Sequence, residues 1–192
     1  MAGLLDDYWS LEGALAEGEK VMTQFNTDAI RLGFLDPSSP VNGVLPESTK
    51  LELPLWLVRP LQSKNVIRTF TPAFLSRKSQ NLVEAQAREV DLRSLSAYYY
   101  EVGQMTFAMN PSVEPKAIDS LLNILTERQK EVFNQSQHAE TEDVSRFVAK
   151  LTVLETKMYH AASECARDVE RWKKLEITRV ESESGSKRRR MM

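Results

Sequence analysis

The sequence has 192 residues, of which 42% are hydrophobic and 27% are charged, and its formal net charge is −2. This composition is typical of a soluble protein with one domain or two small ones, and the balanced charge argues against a dedicated nucleic-acid-binding domain, which is usually basic. The single cysteine excludes a disulfide framework and a zinc finger, and the two histidines exclude a histidine-rich metal site. No apolar run reaches the roughly 20 residues of a membrane helix. The first residues also lack a secretory pattern, so we expect a soluble intracellular protein.

The first 75 residues are predicted to be rich in turns, because six of the eight prolines lie between residues 37 and 72. Ser10 is a candidate N-cap for a short helix. Alternating apolar residues predict short strands at 20–26, 29–35, 50–53 and 65–70, with a loop over 36–47. Pro54 suits the first turn of a short helix over 55–61, which Pro60 is expected to limit.

The rest of the chain is predicted to be helical. Four helices are predicted, over 72–88, 92–109, 115–137 and about 142–172, with Asp91 and Thr141 as caps of the second and fourth. The third is expected to bury a seam of Ile118, Leu121, Leu122, Leu125, Gln129, Val132 and Phe133. The sequence therefore predicts an α+β, mainly α fold. Its parts are a small N-terminal β-rich domain (1–75), a helical bundle domain ending in a long helix (76–175) and a disordered basic tail (176–192).

The fourth predicted helix carries the most regular pattern. Val144, Leu151, Met158, Cys165 and Trp172 recur at an unbroken spacing of seven, and Phe147 and Leu154 occupy companion positions. A helix of this length cannot bury such a stripe within a small globule, so it needs neighbouring helices or another protein. These seven residues are therefore predicted to form a helical seam or a subunit interface.

The sequence gives little support for catalysis. Cys165 is the one candidate nucleophile, but it lies in the heptad seam, where a free cysteine is expected to pack as a small hydrophobic residue. His160, five positions earlier, points about 140° away around the helix, and no glycine-rich phosphate loop is present. We therefore expect no catalytic, cofactor-binding or metal-binding residues. An enzyme that uses Cys165 remains a disfavoured alternative.

Two other segments are candidates for binding. Consecutive helical residues point in different directions, so one of Tyr98, Tyr99 and Tyr100 is expected in the core and the others are available to a partner, which disfavours a base-stacking platform. The basic residues Lys187, Arg188, Arg189 and Arg190 are typical of a nuclear-import signal or a polyanion contact. A solvated tail without a role is an equal alternative for this segment.

Residues 50–57 read KLELPLWL, an alternating strand pattern that runs through a proline into an apolar turn with a tryptophan. The segment resembles the signature of the Psf-three subunits of the GINS complex. Leu32-Gly33 and Val90-Asp91-Leu92 agree in order and spacing, as does the early Tyr8-Trp9-Ser10-Leu11. The motif residues with an expected role in domain packing are Leu51, Leu53, Pro54, Leu55, Trp56 and Leu57. Leu51 and Leu53 are expected to pack inward, and the segment 55–57 could then hold the β-rich domain against the helices. Glu52 should face solvent, and Trp56 is expected in the core of its own domain rather than against a partner.

The resemblance implies a non-enzymatic, nuclear scaffold subunit without a cofactor. GINS is a heterotetramer whose members share a helical domain and a small β-rich domain, and the β-rich domain comes first in the Psf-three type. The resemblance implies three other GINS subunits as direct partners. Through them it implies the MCM ring and the Cdc-forty-five protein of the CMG helicase, with DNA contacted only indirectly and no membrane. From the residues alone, a stand-alone coiled-coil adaptor that forms homodimers is the alternative.

Overall fold

A computed structural model describes residues 10–36, 43–110, 115–138 and 144–190, with the backbone alone for residues 115 and 176–190. The elements in order are α1 (Leu11–Glu17), β1 (Lys20–Phe25), a 3-10 helix (Gly33–Leu35), β2 (Lys50–Pro54), α2 (Leu55–Ser63), β3 (Ile67–Thr69), a 3-10 helix (Ala73–Leu75), α3 (Arg77–Ala85), α4 (Leu92–Leu95), α5 (Tyr99–Met109), α6 (Pro115–Gln137), α7 (Ser145–Val148) and α8 (Val153–Arg190). A small sheet followed by a helical bundle with a long last helix confirms the predicted fold class.

The N-terminal sheet is antiparallel, with β1 between β2 and β3. It follows α1, whose predicted cap is confirmed because the Ser10 hydroxyl accepts a hydrogen bond from the Gly13 N–H at 3.2 Å. Every second residue of β1, namely Val21, Thr23 and Phe25, is buried. The first five residues of the KLELPLWL segment form β2, at the edge of the sheet, where Leu53 pairs with Val21 and faces the core.

The predicted strand at 29–35 is wrong. Within it only Ala29 makes a strand-like pairing, an isolated antiparallel bridge to Leu45. Arg31 then adopts φ 65°, a left-handed conformation incompatible with an extended strand, and a 3-10 helix follows. Residues 37–42 of the predicted loop lie outside the described residues.

The two prolines of the α2 region occupy positions different from those predicted. Pro54 is the N-cap of α2, with φ −67° and ψ 145°, instead of the first helical residue. Pro60 lies inside the helix, which continues to Ser63, so it removes one backbone hydrogen bond without ending the element.

Two of the long predicted helices are interrupted. The segment 72–88 divides into a 3-10 helix and α3, because the Ser76 hydroxyl caps α3 through the Ser79 N–H. The segment 92–109 divides into α4 and α5. The predicted cap Asp91 is confirmed by its hydrogen bond from the Ser94 N–H at 3.0 Å. The bounds of α6 are as predicted.

The fourth predicted helix is two helices, α7 and α8. The break lies at Leu151 and Thr152, and the Val153 N–H donates to the Ala97 carbonyl at 3.0 Å. The predicted cap Thr141 lies outside the described residues. At its other end α8 continues to Arg190, so the backbone is helical where a disordered tail from residue 176 was predicted. The reason is composition, since residues 173–190 lack proline and are rich in Lys, Glu and Arg, which favour helix.

One apolar core joins the sheet to the helices. It runs from Val21 and Phe25 in the sheet, through Leu55 and Val58 of α2, to Tyr99, Val102, Phe107, Leu121 and Ile124 in α5 and α6. The helices α5 and α6 approach closely at Gly103, where a Cβ atom would lie 2.5 Å from the Leu121 Cδ1. A second, smaller cluster of Val132, Leu151 and Tyr159 lies between α6, α7 and α8. The domain boundary near residue 75 stays a prediction.

Candidate protein interaction surface

The helices α6 and α8 run parallel to each other. Arg128 contacts Glu155, Gln129 contacts Met158, and Val132 shares a cluster with Tyr159. These pairs keep a nearly constant offset in sequence, which is the register of parallel neighbours. With the same offset, Gln137 at the end of α6 lies beside about residue 164 of α8.

Beyond residue 163, α8 therefore extends past the end of α6. We call residues 164–190 the projecting segment. Of its described side chains, Val169, Trp172 and Leu175 are 50%, 62% and 66% exposed, and Cys165 is also exposed. Steps of four and three place Cys165, Val169 and Trp172 on one face of the helix. An exposed apolar stripe of this kind is typical of a surface that binds another protein.

The predicted heptad seam is therefore divided. Leu151 is fully buried, and Val144, Phe147, Leu154 and Met158 are half-buried against the helices of this chain. The prediction that Cys165 is a core residue is wrong in this chain, and Trp172 is likewise uncovered. The physical reason is that α6 ends before it reaches them.

The structure also corrects the predicted seam of α6. The buried face carries Leu121, Ile124, Arg128 and Val132, whereas Ile118, Leu122 and Phe133 are 48%, 53% and 50% exposed. The apolar residues of α6 cover two faces of the helix, of which only one is buried. The predicted seam included residues from both faces. The second face adds to the exposed apolar surface of the bundle.

The KLELPLWL residues differ in how far they are buried. Leu53 and Leu55 are buried, Leu51, Pro54 and Leu57 are half-buried, and Glu52 faces solvent. Trp56 is 57% exposed, so its predicted place in the core is wrong. It occupies the outer side of α2, between the buried Leu55 and the half-buried Leu57, and is thus available to a partner.

A buried ion pair lies where α8 begins. The Arg128 guanidinium donates from Nε to Glu155 Oε1 at 2.6 Å and from Nη2 to Oε2 at 3.0 Å, and the two side chains are 3% and 0% exposed. Arg128 Nη1 donates to the carbonyls of Ala87 and Val90, at 2.7 and 2.8 Å. Because every charged atom that is withdrawn from water has a partner, the pair is tolerated in the interior.

Two further groups complete this arrangement, which we call the Arg128–Glu155 cluster. The Tyr100 hydroxyl donates to Glu155 Oε1 at 2.7 Å. The Thr152 N–H donates to Glu155 Oε2, while the Glu155 N–H donates to the Thr152 hydroxyl, which is a reciprocal capping box at the start of α8. The cluster thus joins α5, α6, the turn after α3 and the first turn of α8.

Burial, reinforced by the Glu155 carboxylate, raises the pKa of the Tyr100 hydroxyl, so Tyr100 remains a neutral donor. Its neighbour Tyr99 is also buried and packs edge-to-face against it, with ring centroids 5.5 Å apart. Two of the three tyrosines therefore belong to the core, where one was expected, and Tyr98 is half-buried.

Two features of the sequence point to the Arg128–Glu155 cluster, which was not among the predicted sites. Thr152 and Glu155 have the spacing of a capping box, which predicts a helix start within the apparently unbroken heptads. Arg128 lies four residues from both Ile124 and Val132, on an apolar face, where a charge needs a buried partner.

A half-buried carboxylate lies near the cluster. Glu101 Oε2 has no hydrogen-bond partner among the described residues. Burial raises the pKa of Glu101 above 4.5, against the lowering by its own backbone hydrogen bond and by Lys157, and Glu12 and Glu155 raise it further.

We expect Glu101→Gln to raise the free energy of unfolding near neutral pH and to lose this advantage in acid. Because the folded pKa of Glu101 is raised, the contribution of this carboxyl to the free energy of unfolding is fully present below its unfolded pKa of about 4.5 and is lost as the pH rises through the folded pKa. Glutamine does not ionise and shows no such loss. Urea unfolding of both proteins at about pH 4 and about pH 7 checks this. A stability difference that is the same at both values would contradict it.

No other chemistry is indicated by the described part of the chain. Its residues contain no group of three or more His, Cys, Asp or Glu that could hold a metal ion. None of its helices is long and apolar enough to cross a membrane.

Comparisons with known proteins cover nearly the whole chain. Residues 9–63 match the family model of the PSF3 N-terminal domain, and residues 74–173 match that of the GINS complex protein helical bundle domain. The DNA replication complex GINS protein PSF3 of Xenopus laevis is 28% identical, over 93% of this chain and 85% of its own length. The proteins of the same name from Debaryomyces hansenii and Homo sapiens are 27% and 25% identical, over 89% and 91% of this chain and 99% and 84% of their own lengths. The chain therefore belongs to the GINS family of DNA replication proteins, in its PSF3 branch.

Proposed function

We propose that this chain is a non-enzymatic scaffold subunit of a heterotetrameric GINS complex that acts in DNA replication. The curated relatives are named as GINS proteins of the DNA replication complex, and the alignments span most of both chains. The observation that carries the proposal is the exposed apolar stripe on the projecting segment. A helix face that the chain leaves exposed although it is apolar is expected in a subunit that buries this face against its partners.

The direct partners in this proposal are the other three GINS subunits. Cys165, Val169 and Trp172 would lie at a subunit interface, and the exposed Trp56 is a candidate for a second contact. Obligate interfaces bury about 2,000 Å² or more and resemble a protein core divided between chains. A helix that carries its apolar stripe beyond its own bundle supplies one half of such an interface.

The wider assembly follows from the resemblance. Through the other subunits the chain would join the MCM ring and the Cdc-forty-five protein in the CMG helicase, where ATP hydrolysis belongs to the MCM ring. The chain itself then needs no cofactor and touches DNA only indirectly. Its place is the nucleus, and Lys187 to Arg190 are candidates for the import signal. The division into a β-rich domain and a helical domain near residue 75 belongs to the same proposal.

Co-expression tests the proposal. The full chain is produced alone and with the other three GINS subunits, and light scattering after size exclusion gives the mass of each product. We expect a stable 1:1:1:1 complex, and a lone chain that is folded in dilute solution and self-associates at higher concentration through its uncovered stripe. A well-behaved homodimer that ignores the other three subunits would overturn the proposal in favour of the coiled-coil adaptor.

A further inference from the structure

The Arg128–Glu155 cluster lies at the base of the projecting segment. Glu155 is in the first turn of α8, and the contacts of α8 with α6 extend from there to about residue 163. Trp172 follows 17 residues after Glu155, which is about 26 Å along the axis of a helix. The apolar stripe is thus carried by a helix whose first turn is fixed by the buried ion pair and which also packs on α6 as far as about residue 163.

Because Trp172 lies far from Glu155 along α8, the direction of this helix determines where the stripe is presented to a partner. A tilt of about 10° at Glu155 would displace Trp172 by about 4–5 Å, which exceeds what a close-packed interface can absorb. The apolar contacts near Glu155 are non-directional, since a Leu or Val side chain accepts many neighbours. The planar guanidinium of Arg128 is directional, because its donors fix two oxygens of Glu155 and two carbonyls of the 86–90 turn at once.

We propose that Arg128 and Glu155 are positioning residues for partner binding. They hold the first turn of α8 at one angle to α5 and α6, and so present the stripe of the projecting segment in the orientation that partner subunits require. Tyr100 and the Thr152 N–H complete the set by fixing the remaining lone pairs of Glu155. The role in binding rests on the proposed function, whereas the control of helix direction is a property of the isolated chain.

The test measures direction and binding separately, with two mild variants. Arg128→Lys keeps the charge and loses the planar fork, and Tyr100→Phe removes only the hydroxyl. Direction is read in the isolated full chain from the distance between spin labels at the native Cys165 and at Glu89→Cys, which lies at the turn contacted by Arg128. Urea unfolding verifies that each variant is folded. The control is Arg88→Lys, in an ion pair with Glu127 whose side chains are 61% and 42% exposed.

We expect Arg128→Lys to broaden the distance distribution or to shift it by about 2–3 Å, as a tilt of about 10° would over the ten residues from Glu155 to Cys165. Tyr100→Phe should have a smaller effect, and Arg88→Lys none. An unchanged distribution in a folded Arg128→Lys chain would overturn the proposal, whether or not the chain assembles with GINS subunits. Failure of the wild-type chain to assemble would instead count against the proposed function.

Binding supplies a second readout that a merely structural role would not change. The affinity for the other three subunits is measured for Arg128→Lys, Trp172→Ala and the double variant. If Arg128 acts by orienting the stripe, the Arg128→Lys chain already presents Trp172 poorly. The loss of affinity caused by Trp172→Ala should then be several-fold smaller in the Arg128→Lys chain than in the wild-type chain. Distant sites with independent roles give additive effects on the binding free energy, so additivity would overturn the positioning role in binding.

Discussion

Arg128→Ala and Glu155→Ala are each expected to lower the free energy of unfolding by about 3–5 kcal/mol. Either change leaves a buried charge without its partner. It also leaves other groups unpaired, namely the carbonyls of Ala87 and Val90 in one case and the Tyr100 hydroxyl in the other. Since a domain has only about 5–15 kcal/mol of stability, both variants should be close to unfolding at physiological temperature.

Urea unfolding of the full chain measures this effect. With a slope of about 1–3 kcal/mol per molar urea, the midpoint should fall by at least about 1 M. The matched control is Arg88→Ala, which breaks an exposed ion pair between the turn after α3 and Glu127 of α6 and should cost less than about 1 kcal/mol. If Arg88→Ala and Arg128→Ala lower the free energy of unfolding equally, burial does not determine how much these ion pairs contribute to stability.

Trp172→Asp is expected to weaken assembly with the other GINS subunits by about 30-fold or more, as for a hot-spot residue worth about 2 kcal/mol or more. The change puts a charge on the exposed apolar stripe. The lone chain should keep its stability, because Trp172 is 62% exposed and contributes little to the core. Leu151 would be a poor choice for this test, since it is fully buried and its replacement by Asp would disturb folding as well.

The measurement is the affinity of the purified full chain for the other three subunits, with circular dichroism and urea unfolding as checks of the fold. Arg171→Asp is the control, because it introduces the same carboxylate one residue away, on a different face of the helix, where the Arg171 side chain is 73% exposed. Loss of assembly with both variants would indicate that any negative charge on α8 is harmful. If Trp172→Asp assembles with unchanged affinity, the stripe does not lie in the interface.

Much of the fold could be predicted because local signals agree with it. Ser10 and Asp91 cap helices as expected, and the alternation of Val21, Thr23 and Phe25 specifies a strand with one buried face. The bounds of α6 follow from Pro115 and from an apolar pattern without breakers. Each of these features is determined by residues that lie close together in the sequence, so the sequence alone is enough to predict it.

The interaction surface was harder to predict because burial depends on what lies opposite. Cys165 and Leu151 share one heptad position, yet Leu151 is covered and Cys165 is exposed, since α6 runs beside the first and ends before the second. The heptad pattern also concealed the break before α8. Within the cluster, the capping box of Thr152 and Glu155 is a local pattern that the sequence displays. The contact between Arg128 and Glu155 is long-range, and only the structure shows that the two residues meet.

The continuity of the apolar core has a consequence for synthesis on the ribosome. The helix α2 packs on the sheet and also meets α5, where the Gln62 Nε2 donates to the Met109 carbonyl at 2.7 Å. When residue 75 has been made, the strands and α2 are complete, but the side of α2 that faces α5 is still uncovered. The nascent N-terminal region should therefore remain open, and exposed to chaperones, until α5 and α6 have left the exit tunnel.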